Sequence, residues 1–178
     1  MMIPTFEWGT RSRDQRPSNE GLHHPPGCLQ VWGRGEGSRR FGRPGNRFWP
    51  ALHAGGFTPR LLTPFEESDL LTLKLGITNV VPRATATAEE LSLDEFSAGG
   101  RILDKKIRKF RPRTMAVLGI GAYRAAFGKP KAALGLQEDS IGDTAIWVLP
   151  NPSGLNAHFS AADFGSLFAE LRRWIQGH

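Results

Sequence analysis

The sequence predicts an α/β layered fold around a parallel sheet. Two observations carry the prediction. The runs Thr114–Leu118 (TMAVL) and 145–149 (AIWVL) are almost continuously apolar, which suits strands buried on both faces. Each stands between stretches of helical periodicity, and strands alternating with helices build a parallel sheet covered by helices. A chain of 178 residues with 39% hydrophobic content suffices for one domain with one core.

The elements follow in order. Residues 1–40 read as an irregular or disordered N-terminal segment, and the globular body is 41–178. The stretch 34–43 is RGEGSRRFGR, and only 28–32 (CLQVW) has weak strand character; such Gly, Pro and Arg bias argues for loop. Asn46 begins a short helix carrying Phe48, Trp49 and Leu52, closed by Gly55 and Gly56. Pro64 precedes a second helix with Leu70, Leu71 and Leu73 on its apolar side. Residues 77–81 (ITNVV) are β-branched, as in a strand or extended loop. Residues 89–96 and 101–110 read as two helices, the second with Ile102, Leu103, Ile107 and Phe110 on one face. Gly119, Ile120 and Gly121 then lead from the first apolar strand into a helix through Phe127. The last helix is 161–175, capped by Ser160, with Phe164, Leu167, Phe168, Leu171, Trp174 and Ile175 on one face.

Lys and Arg number 23 against 17 Asp and Glu, a net charge of +6, which favours a polyanionic partner such as nucleic acid. The excess is concentrated. Between residues 101 and 131 stand ten Lys or Arg and a single acid, Asp104. That run is either the solvated face of a helix or a phosphate-facing patch. One cysteine, Cys28, excludes an internal disulfide and a four-cysteine metal site. The opening residues lack the apolar core of a signal peptide, and no run approaches the ~18 apolar residues of a membrane span. A soluble, cytoplasmic protein is expected, with no membrane partner.

Chemistry is concentrated in Asn151-Pro152-Ser153-Gly154-Leu155-Asn156, directly after the second apolar strand. Ligands bind at the carboxyl ends of parallel strands. A lone leucine in so polar a turn is either folded back onto the core or a wedge that enters a base stack. A second segment, Phe41-Gly42-Arg43-Pro44-Gly45-Asn46-Arg47-Phe48-Trp49, joins two arginines to three aromatics. Phe48 and Trp49 suit the core; Phe41 lies outside the helix and is a candidate stacking face for a base.

RPGNRFWPAL, GITNVVPRATATAEEL, AGGRIL, TMAVLGIGAY and WVLPNPSGLN stand in this order over about residues 41–174. Together they resemble the mismatch-specific uracil (thymine) DNA glycosylase branch of the uracil-DNA glycosylase superfamily. The resemblance implies a three-layer α/β/α fold with a central, mainly parallel sheet of four or five strands. It implies a base-excision repair enzyme that hydrolyses the N-glycosidic bond of uracil or thymine mispaired with guanine. The partner would be double-stranded DNA with a G·U or G·T mismatch, the protein a monomer, with no cofactor and no metal. By position Leu155 would be the wedge in a DNA-binding loop of Asn151, Pro152, Ser153, Gly154, Leu155 and Asn156. Gly154 and Asn156 would contact the widowed guanine, Phe41 would stack on the extruded base, and Asn79 would lie near the base pocket.

The family's first strand ends in a Gly-Ile-Asn-Pro-Gly-like loop whose Asn holds the attacking water. The nearest match upstream of Phe41 is Gly21-Leu22-His23-His24-Pro25-Pro26-Gly27, which puts Pro25, without a side-chain hydrogen-bonding group, where Asn belongs. The first strand is therefore expected to be missing or altered. Three explanations stand side by side: a start translated in the wrong reading frame, His24 (or His23) in place of the Asn, or a catalytically impaired DNA-binding protein with the glycosylase fold. His23, His24 and Cys28 lack a fourth metal ligand nearby. A different class, a dinucleotide-binding turn at Gly119-Ile120-Gly121 with Glu138 or Asp139 as the ribose acid, wants a third glycine where Arg124 stands.

Overall fold

Side chains of the central strands Thr114–Leu118 and Thr144–Leu149 point alternately to two faces that are both buried, and this sets the architecture. The computed structural model describes residues 41–81 and 91–178, and the backbone of 29–33. Five strands form one sheet: β1 (Leu29–Gly33), β2 (Leu75–Asn79), β3 (Thr114–Leu118), β4 (Gly135–Ile141) and β5 (Thr144–Leu149), in the order β2-β1-β3-β5-β4. The first four of that order are mutually parallel, with Leu29 opposite both Leu75 and Thr114, and Leu118 opposite Leu149. β4 joins β5 as an antiparallel edge, with a register shift between Leu136 and Ser140.

Met115, Val117, Ile146 and Val148 face one helical layer, made by α3 (Leu93–Phe110) and α4 (Ile120–Phe127). Ala116, Leu118, Trp147 and Leu149 face the other, made by α1 (Phe48–Ala54), α2 (Asp69–Thr72) and α5 (Ala161–Gly177). The two-residue period of a strand thus feeds two separate cores. The three-layer α/β/α fold with a mainly parallel sheet follows from it.

Several local expectations need correction. The sheet has its first strand. Leu29–Gly33, inside the stretch read as irregular, pairs on both sides and holds the middle of the sheet. Backbone pairing on two edges compensates for weak sequence periodicity. The other residues of the 1–40 segment lie outside the described residues. The two helices read over 89–110 are one helix from Leu93, capped by Ser92, whose hydroxyl accepts the Glu95 amide. Gly99 and Gly100 do not break it, because they let α3 approach its neighbours. A Cβ at Gly99 would lie 2.5 Å from the Val80 carbonyl oxygen, and one at Gly100 would run into the carbonyl of Ala126 on α4. The second helix expected after Pro64 is shorter than its leucines suggested, a 3₁₀ turn (Pro64–Glu66) and then α2. β4 has no sequence counterpart above, because its residues GLQEDSI are mostly exposed.

The last helix begins at Ser160 as expected. The Ser160 hydroxyl accepts the Asp163 amide, and Asp163 Oδ2 accepts both the Ser160 amide and its hydroxyl at 2.7 Å. Those bonds favour the charged carboxylate and hold Asp163 below its ordinary value of 3.8.

Two outcomes follow. Alanine at Gly100 gains about 1 kcal/mol in helix propensity, but it meets a backbone carbonyl that cannot rotate away. The Gly100→Ala variant is expected to lose about 1–2 kcal/mol net in urea unfolding; an unchanged midpoint would disprove the close approach. A depressed carboxyl contributes stability above its ordinary value and loses it as pH falls through the folded value. Thermal midpoints should therefore fall below about pH 3.8, and Ser160→Ala should flatten that acid limb.

Candidate functional site

The carboxyl ends of β2, β3 and β5 open into a cavity of about 660 Å³. Val80 and Val81 follow β2, Leu118 and Gly119 end β3, and Pro150 and Asn151 follow β5; all six line it. Phe41, Arg43 and Asn46 contribute from the loop before α1, Leu91 and Phe96 from the start of α3, and Ser153 and Leu155 through Phe159 from the loop before α5. Gly119, Ile120, Gly121 and Ala122 bring the N-terminus of α4 to the same wall, where first-turn amides present partial positive charge. Among the described residues that line the cavity none is Asp or Glu; Arg43 is the permanent charge and His158 the titratable one.

The loop after β5 is held by its own polar groups. Asn151 Oδ1 accepts the Ser153 amide at 3.2 Å, and Ser153 Oγ accepts the Leu155 amide at 3.3 Å. The Asn156 amide donates to the Ser153 carbonyl at 3.0 Å, closing a β-turn with Gly154 and Leu155 at its corners. Leu155 is 84% exposed while lining the cavity. It is not folded back onto the core. Gly154 packs on the preceding loop, where a Cβ would lie 2.8 Å from the Gly45 carbonyl oxygen, and Gly45 itself has φ +79°. The Asn156 side chain is spent inside the loop: Nδ2 donates to the Asn151 carbonyl at 2.9 Å, and Oδ1 accepts the His158 amide at 3.0 Å.

Phe41 lines the cavity but is only 5% exposed, in the left-handed region at φ 58°. Its ring lies on Phe48, centroids 4.0 Å apart. Asn79, the last residue of β2, does not itself line the cavity, although Val80 and Val81 do. Its Oδ1 is buried with no hydrogen-bond partner among the described residues, and a buried acceptor without a donor is costly. Asn46 Oδ1 accepts the Phe48 amide at 2.9 Å, so the NH2 is what Asn46 has left to offer. The helix it was expected to cap starts one residue later, after Arg47.

His23, His24, Pro25 and Cys28 lie outside the described residues. The first strand is Leu29–Gly33, and the residues that follow it, 34–40, also lie outside the described residues. Sequence reasoning missed His158 and Arg43 as cavity residues. Position was the available signal, since both flank motifs already singled out.

The basic run does not border the cavity. Arg111 and Arg113 stand before the start of β3, whereas the cavity opens at its end, and five residues of strand span roughly 16 Å. Lys105, Lys106, Arg108 and Lys109 occupy the last turns of α3 beside them. Arg108 pairs with Asp104 at 2.8 Å and Lys129 with Asp139 at 2.7 Å. The dinucleotide reading loses its acid for a related reason. Glu138 and Asp139 lie on the antiparallel edge strand β4, not at the end of a parallel strand beside Gly119. Arg124 is engaged with the Ala132 carbonyl at 2.6 Å through Nη2. Among the described residues no helix is long and apolar enough to cross a membrane.

A comparison with protein families matches residues 35–176 to the model described as the uracil DNA glycosylase superfamily. The cavity and the Leu155 turn lie within that span, and β1 just before it. The placement of the cations generates a prediction. Changing Lys105, Lys109 and Arg113 together to Gln should leave the salt dependence of duplex binding nearly unchanged. If the three met phosphates in the complex, the slope of log K against log salt would drop by roughly 3.

Proposed function

Because the chain belongs to the uracil DNA glycosylase superfamily, its activity class is that of a DNA glycosylase of base-excision repair, and we propose that it releases uracil or thymine mispaired with guanine. The base swings out of the duplex into the cavity, and Leu155 takes its place in the stack. The observation that carries this reading is the 84% exposure of Leu155 on a self-bonded turn at the cavity rim. An enzyme acting on a base inside a duplex must extrude it, and a mispaired base costs least. An apolar filler offsets part of the unstacking cost.

In the reaction the C1′–N bond breaks and its electron pair leaves with the base, while water adds to C1′ and loses a proton. The developing charges are positive on the sugar and negative on the departing base. The described lining suits the second of these. Arg43, the Asn46 NH2 and the amide-rich start of α4 offer positive potential and donors. Phe41 supplies an aromatic wall for the extruded base, and Asn79, directly before the lining residue Val80, stands behind the base pocket. Gly154 contacts the widowed guanine through its exposed backbone; Asn156 acts mainly by holding the turn. The water-orienting group belongs to the segment before Phe41: His24 is the candidate from sequence, and the stretch 34–40, which follows β1 in the chain, is the alternative if the loop stands after the first strand as the resemblance implies.

Base release from G·U and G·T duplexes, read as strand scission after alkali, tests the proposal. Leu155→Ala should lower mismatch binding and release by roughly 10- to 100-fold, the scale of a few kcal/mol of unstacking, with an unchanged melting temperature. Unaltered activity would remove the wedge. Tight mismatch binding with no release by the native chain would favour the non-catalytic DNA-binding reading instead.

A further inference from the structure

We propose that Arg47 is the positioning residue for the Leu155 turn, an inference that rests on the reading of Leu155 as a wedge. Three carbonyls of the loop that carries the turn converge on this one residue. The Arg47 amide donates to the Pro152 carbonyl at 2.8 Å. Its guanidinium Nη1 donates to the Asn156 carbonyl at 2.8 Å and to the Ser153 carbonyl at 3.3 Å. Ser153 and Asn156 are the first and last residues of the four-residue turn that has Leu155 at its corner. The guanidinium therefore holds both feet of the turn.

The other end of the clamp is fixed. Arg47 is the N-cap of α1, and its carbonyl accepts the Ala51 amide at 2.9 Å. α1 is anchored by Phe48, Trp49, Ala51 and Leu52, all buried, and the Arg47 guanidinium carbon lies 5.9 Å from the centre of the Phe164 ring on α5. The rigid helical layer is thus coupled to an exposed turn whose remaining hydrogen bonds are internal. A turn free to hinge would enter the stack only after being ordered, and ordering at the moment of binding lowers affinity. Both side-chain bonds leave from Nη1, whose two N–H groups are fixed in direction by the guanidinium plane; the freely rotating ammonium of a shorter lysine does not hold the two carbonyls in so fixed a geometry.

The test is a double-mutant cycle on the full chain, with dissociation constants measured for a G·U duplex and for its matched G·C counterpart. Arg47→Met should weaken G·U binding by about tenfold through lost preorganisation, and Arg47→Lys should not restore it. In the Leu155→Ala background Arg47→Met should change affinity by less than about twofold, since coupled residues are non-additive. Melting temperatures of all variants are recorded, and Arg47→Lys keeps the charge and most of the stem if Arg47→Met proves poorly folded. Full affinity in Arg47→Lys, or effects of Arg47→Met and Leu155→Ala that simply add, would overturn the positioning role while leaving the wedge intact. If Leu155→Ala itself binds G·U as the native chain does, the wedge reading fails, and this inference with it.

Discussion

Two-sided burial of β3 and β5 is the constraint on which the rest depends. Eight side chains, Met115 to Leu118 and Ile146 to Leu149, go alternately into two cores, and each has at most 5% of its surface in contact with solvent. A sheet buried in this way needs helices on both faces, which forces the chain to cross over between parallel strands. The crossovers return all four parallel strands with the same polarity. Polar loops that leave those strands must gather at one end, and that end is where the cavity opens. The site is therefore a consequence of how the core is filled.

Chemistry at that end is shaped by what the loops give up for rigidity. The turn after β5 uses Asn151, Ser153 and Asn156 on itself, and Gly154 rests on Gly45 with no room for a side chain. Its polar groups are then largely unavailable for recognition, and what it presents is apolar. Leaving a leucine in water forgoes about 2 kcal/mol of burial, a cost that persists only because the turn cannot collapse onto the core. The cavity beside it shows a complementary bias. Arg43 and the α4 N-terminus stand on its wall, and none of its described lining residues is Asp or Glu.

Legibility in the sequence followed burial. The strands read at Thr114–Leu118 and 145–149 and the cap at Ser160 were readable, because a nearly continuous apolar run and a capping box have few alternative explanations. β4 was not, since an exposed edge strand such as GLQEDSI has no apolar period to detect. The unbroken α3 was not, since paired glycines look like a stop until Val80 and Ala126 are seen pressing against them. In the site, Leu155 could be picked out as an oddity, but its exposure could not. Arg47 was hidden by its position between a helix cap and an aromatic pair; its role is tertiary, arising from carbonyls more than a hundred residues away.

The central strand gives the least expected lesson. β1 pairs with both β2 and β3, yet it lies before the span matched by the family and inside the segment whose composition argued against structure. A middle strand takes its hydrogen bonds from two neighbours and owes less to its own propensity than an edge strand does. Weak periodicity in LQVWG was therefore poor grounds for dismissing it. Its position also changes where catalysis must be sought. Gly33 stands opposite Asn79, so the chain leaves β1 at the same end of the sheet as the residues that open the cavity. Arg34 to Arg40 follow it in the chain and His24 precedes it. Ligands bind where parallel strands end, and by chain order the residues after Gly33 start from that end while those before Leu29 lead into the other.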